Sequence, residues 1–187
     1  MEGGDERQGP GRQHPFRELR HRDHITLRFD PVADEAGGAI YARRGRRAVI
    51  VLSPGLDQVE REDSLAHELE HDELGVVQPP ASDLTMERIE NIADRRTTAW
   101  LVPRPGLLAF VLGRSEVEPI TAAVVAAEFR VTEARAQAAL DDLQRHLLDL
   151  ELRRAARAHP ANPSHDPSHG TDGPLPSSPD VPDDPAA

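Results

Sequence analysis

His67-Glu68-Leu69-Glu70-His71 constrains this chain more than any other stretch. It fits the HExxH pattern, and that pattern makes chemical sense only on a helix. Residues i and i+4 are rotated by roughly 40° and lie about one turn apart, so both imidazoles leave the same face and can close on one ion. Glu68 is one step round from His67. It can take a proton from a water on that ion, but it is badly placed to become a third ligand. Zinc lowers the pKa of such a water to ~7, and an adjacent carboxylate then completes the working core of a zinc peptidase.

A solvated, charged helix can carry the same five letters, so the flanks matter. Residues 57–74 read as one helix, with Pro54-Gly55 before it, Asp57 as N-cap and Gly75 as stop signal. Leu65 and Leu69, four apart on the side away from the histidines, supply an apolar face.

Composition bounds the rest. Of 187 residues, 37% are apolar and 3% aromatic, and there are 17 prolines, so part of the chain is expected to lie outside a core. Residues 1–22 and 158–187 read as disordered tails, the second Pro-rich and acidic. That leaves a folded domain over 23–157. All 22 basic residues are Arg, and the net charge is −11. An acidic body argues against broad phosphate-backbone binding. With no cysteine, a metal would have to be held by His and carboxylate. No apolar run approaches the ~20 residues that span a bilayer, and no signal-peptide core is visible, which places the protein in the cytoplasm.

Residues 24–29 alternate as a strand, with Ile25, Leu27 and Phe29 on one side. The apolar runs 38–42 and 48–52 flank Arg43-Arg44-Gly45-Arg46-Arg47, a hairpin turn whose arginines discourage edge pairing rather than form an anion site. After helix 57–74 come a Pro79-Pro80 loop and a helix from about Thr85 to Leu101, capped by Ser82 or Asp83 and stopped by Pro103 and Pro105-Gly106. Residues 107–112 are apolar and of uncertain type, and helices are expected over 121–129 and 132–157. The expected class is α+β: a small antiparallel sheet with a hairpin, a zincin-like helical core, and a C-terminal helical pair.

A catalytic zinc usually has three protein ligands. No third histidine follows in the metzincin spacing, so an acid from the next helix is needed, and Glu87, Glu90 and Asp94 are on offer. At this point the residues match a known pattern. Ser64-Leu65-Ala66-His67-Glu68-Leu69-Glu70-His71, then Glu90-Asn91-Ile92-Ala93-Asp94 and Leu101-Val102-Pro103, resembles the ImmA/IrrE family of metallopeptidases over about residues 25–145. The resemblance implies Zn2+ held by His67, His71 and Glu90, with Glu68 as general base. Glu87 is the fallback ligand, and Asp94 would orient a histidine. It also implies a zinc-dependent endopeptidase whose protein substrate is regulatory, typically a helix-turn-helix repressor of a mobile element or stress regulon. The alternative is a non-catalytic regulatory module that binds a protein partner or DNA.

Two departures from the family pattern carry expectations. Glu70 and Asp72-Glu73 stand where many members have Gly and apolar residues, so this helix is expected to be more exposed. Arg96-Thr97-Thr98 replaces small residues, which points to an altered substrate groove. Residues 120–135 have the outline of a helix-turn-helix. Its second helix offers Glu133, Arg135, Gln137, Asp141 and Asp142, a poor set for a DNA groove, so a structural pair behind the core is expected. His159, His165 and His169 read as incidental to the tail, and neither His24 nor His146 has an evident partner.

Overall fold

The computed structural model describes residues 14–76, 83–114 and 119–158. The chain forms two compact units, Met1–Asp149 and Leu150–Ala187; the second is described only over residues 150–158, which are helical. The element order is α1 (Pro15–Leu19), β1 (Ile25–Phe29), a 3-10 turn (Pro31–Ala36), β2 (Ala39–Arg44), β3 (Arg47–Leu52), α2 (Gln58–Glu73), α3 (Asp83–Leu101), α4 (Arg104–Gly113), α5 (Ala122–Phe129) and α6 (Glu133–Ala158). The class is α+β, as expected.

The sheet is mixed rather than antiparallel throughout. Its order is β1-β3-β2. The β2–β3 hairpin is antiparallel, but β1 runs parallel to β3, from Ile25 opposite Ala48 to Phe29 opposite Leu52. The cause lies in two reversals. The 3-10 turn ends at Gly37 with a left-handed φ of 85°, and the hairpin turns at Gly45 with φ 61°, so β3 regains the direction of β1. The run Ala48–Leu52 is apolar enough to be central: Ala48, Ile50 and Leu52 are buried between the flanking strands and α2. Phe29 keeps the alternation but remains exposed, with the Arg61 guanidinium over its ring at 5.7 Å.

The α2 helix lies on this sheet. Asp57 caps it in a reciprocal box with Glu60, and Gly75 follows it with φ 66°. Leu65 and Leu69 are completely buried, each contributing about 2 kcal/mol. Residues 14–22, which composition alone assigns to a tail, are structured against this helix. Phe16 and Leu19 pack on the sheet core, His14 reaches Glu62, and Arg22 reaches the Leu69 carbonyl. Residues 1–13 and 159–187, the Pro79-Pro80 loop, Ser82 and the Asp83 side chain lie outside what is described.

Residues 107–112 are helical. Proline is tolerated in the first turn of a helix, so Pro103 and Pro105 end α3 and start α4 rather than break it. A second core gathers Leu107, Val125, Ala126, Ala136, Ala139 and Leu143 from α4, α5 and α6 with Val102 and Val131 from the links beside them, and Leu101 borders both cores. Arg130 joins α5 to α6 in the left-handed conformation, φ 55°.

Candidate metal centre

The i, i+4 spacing on α2 and one acid from α3 converge. His67 Nε2 and His71 Nε2 are 3.0 Å apart, and Glu90 Oε2 is 3.1 Å from the first and 3.4 Å from the second. Nitrogen and oxygen ligands bound at 2.0–2.1 Å around a tetrahedral ion lie about 3.3 Å from one another, so these three spacings fit a zinc-sized cation. Of the three acids left open by sequence, Glu90 joins the histidines. Glu87 is exposed and stands outside the group. Asp94, one turn beyond Glu90, meets the far nitrogen of the first histidine: its Oδ1 is 3.2 Å from His67 Nδ1. A carboxylate there fixes the ring's tautomer, leaving Nε2 free as a donor to metal.

The environment favours neutral imidazole. Burial, the largest influence on His71, lowers its pKa below the ordinary histidine value, and its ring is 6.3 Å from that of Tyr41 and nearly parallel to it. Glu68 is buried, with 7% of its surface exposed. Burial, and then the charge of Glu90, push its carboxyl up to about 8. A cation among the three ligands would offset Glu90 and draw that value down.

Of the three acids expected to make this helix exposed, Glu73 is exposed, but Glu70 and Asp72 are buried. Glu70 has no exposed surface, and its Oε2 pairs with Arg96 Nε at 2.9 Å. Asp72, 8% exposed, is surrounded by donors. Arg22 Nη1 is at 2.9 Å, Tyr41 Oη and His24 Nε2 at 3.0 Å, and Arg43 Nη1 at 3.3 Å. His24 therefore has a partner that the sequence did not reveal. Burial tends to raise the Asp72 pKa, but the hydrogen bonds from His24, Tyr41 and Arg22 outweigh it and hold the carboxyl below its usual value. Glu70 and Asp72 are tolerated inside this fold because each meets a counter-charge. No pattern in the sequence marked these partners, because the burial of Glu70 and Asp72 is decided by elements distant in the chain.

Of the α6 side chains that might have faced a DNA groove, Arg135 is turned into the fold, while Gln137 and Asp142 make solvent-exposed pairs and Glu133 is exposed. Arg135 bonds Asp63 and Asp94, Gln137 bonds Asp141, and Asp142 takes a 2.7 Å contact from Arg104.

A sheet-backed helix with two histidines, a neighbouring helix supplying a carboxylate, and a buried acid beside them define a metallopeptidase-like domain. Comparison with known families agrees: residues 21–141 match the IrrE N-terminal-like domain, a peptidase family, and the chain belongs to that family. No curated protein matches the chain. Among the described residues, no helix is long and apolar enough to cross a membrane.

Proposed function

We propose that this protein is a cytoplasmic zinc-dependent endopeptidase with His67, His71 and Glu90 as ligands and Glu68 as general base. The observation that carries the reading is the three-donor cluster, whose spacings of 3.0, 3.1 and 3.4 Å suit one small cation. When bound, Zn2+ would supply Lewis acidity to a water and to the scissile carbonyl. The protein's own groups do the remaining work. Glu68 accepts a proton at its carboxylate and returns it to the leaving amine. Asp94 holds His67 in the tautomer that presents Nε2, and burial keeps His71 neutral.

A protein substrate follows from the peptidase family. We infer from the resemblance in the two helix motifs that it is regulatory, a helix-turn-helix repressor of the kind associated with a mobile element. The burial of the Arg135 guanidinium against Asp63 and Asp94 favours this reading over DNA binding by α6.

Metal analysis tests the proposal directly. The purified protein should carry about one equivalent of Zn2+, and His67→Ala or His71→Ala should remove it. Wild-type protein without a divalent ion, and unable to take one up, would end the enzyme reading.

A further inference from the structure

Arg135 belongs to the C-terminal helical pair, far in sequence from the HExxH helix, yet it reaches the flank of the site. Its Nε and Nη2 each lie 2.9 Å from one oxygen of Asp63, a two-pronged fork. Its Nη1 is 3.1 Å from the Asp94 carbonyl, 3.1 Å from Thr98 Oγ1 and 3.4 Å from Asp94 Oδ1. The side chain is only 10% exposed.

The residues it joins are not arbitrary. Asp63 is one turn before His67 on α2, and Asp94 is one turn after Glu90 on α3. Asp63, His67 and His71 form one row, and Glu90, Asp94 and Thr98 another, both at intervals of four. Arg135 spans the ends of the two rows. The same Asp94 oxygen that contacts Arg135 contacts His67 Nδ1. The guanidinium thus fixes the separation of the helices that carry the ligands, and it aims the carboxylate behind one ligand.

We propose that Arg135 is a positioning residue for the metal centre, and that through it the C-terminal helical pair is part of the site rather than a neighbouring module. The inference rests on the zinc reading above. It predicts that the planar fork, not charge alone, is required, since a lysine ammonium cannot hold Asp63 with two parallel bonds while also reaching Asp94.

The test is zinc affinity by chelator competition, together with the visible spectrum of the cobalt-substituted protein, for the full chain. Arg135→Lys should bind Zn2+ about tenfold more weakly and show an altered cobalt spectrum, while its metal-free form retains the wild-type circular dichroism. Asp94→Asn should cost a similar factor, and the double variant should lose little more than either single one. Asp142→Asn is the control. It loosens the ion pair between Arg104 and α6 without touching a ligand row, and it should leave zinc affinity unchanged.

Wild-type affinity and spectrum in Arg135→Lys would overturn the proposal, as would an equal loss in Asp142→Asn or independent, multiplying losses in the double variant. Should Arg135→Lys fail to fold, Asp63→Asn decides the question, because it keeps the shape and one acceptor of the fork. Weakened zinc binding supports the clamp, and wild-type affinity removes it. If wild-type protein binds no zinc, the metallopeptidase reading falls as well; normal zinc in both wild type and Arg135→Lys removes only the clamp.

Discussion

Glu68 and Asp72 lie one turn apart on the same helix and are almost equally buried, at 7% and 8% exposed, but their environments oppose each other. Asp72 is met by Arg22, His24, Tyr41 and Arg43, and its pKa is lowered. Among the described residues no hydrogen bond reaches the Glu68 carboxylate; its neighbour is another acid, Glu90, and its pKa rises to about 8. Burial with donors turns a carboxylate into an anchor. Burial without them raises the carboxyl's affinity for its proton. A single helix thus carries both behaviours, and the difference is set by what the rest of the chain brings to each side.

The largest expected effect comes from removing the proton carrier. Glu68→Gln should reduce peptide hydrolysis by at least about a hundredfold while Zn2+ content and fold persist. Turnover on a cleavable protein or peptide, measured beside zinc stoichiometry, checks this; an active Glu68→Gln would move the general base elsewhere.

On the other side of the comparison, Asp72→Ala should destabilise the protein by about 2–4 kcal/mol, because Arg22, His24, Tyr41 and Arg43 lose their shared acceptor, although Arg22 keeps Glu73 and Glu18. Urea unfolding at neutral pH measures it. A loss below about 1 kcal/mol would mean that Arg22 and Arg43 find other partners at no cost.

Changing the acid that faces Glu68 sharpens the contrast. Glu90→Gln should weaken zinc binding by more than about a hundredfold, exceeding the usual cost of disturbing a group behind a ligand. Glu87→Gln should leave binding unchanged. The reverse result, by chelator competition, would place the third ligand one turn earlier.

A further effect is in the pH dependence of the metal-free protein. Glu68 has a folded pKa above its ordinary value of 4.5, so its contribution is fully present below that value and is lost as pH rises to about 8. Wild-type stability should therefore fall over that interval relative to Glu68→Gln, by on the order of a few kcal/mol. Asp72 behaves in the opposite sense: its contribution exists above its ordinary pKa and is lost only as pH falls through the lowered one. Denaturation at pH 6 and pH 8.5 reads the first effect, and a pH-independent difference between wild type and Glu68→Gln would contradict it.

Much of the site was legible because its information is local. The four-residue interval from His67 to His71, the Asp57 cap, the Gly75 stop and the Leu65/Leu69 face all follow from helical geometry, and the structure retains each of them. The antiparallel hairpin around Gly45 was equally local. Motif resemblance pointed to Glu90 where spacing alone left Glu87 and Asp94 beside it.

What sequence could not fix depends on separations with no period. Asp72 is answered by Arg22 from 50 residues away, and Asp63 by Arg135 from 72. For that reason the acids of α2 look in sequence like a solvent-facing edge. The parallel run of β1 beside β3 likewise depended on two successive reversals, which strand alternation does not record. By itself the sequence determined the helix, its two imidazoles and the chemistry they are suited to. Only the tertiary structure decided which buried carboxylates are neutralised and which is left reactive, because a charge inside a protein takes its energy from whichever groups the fold places within a few ångströms of it.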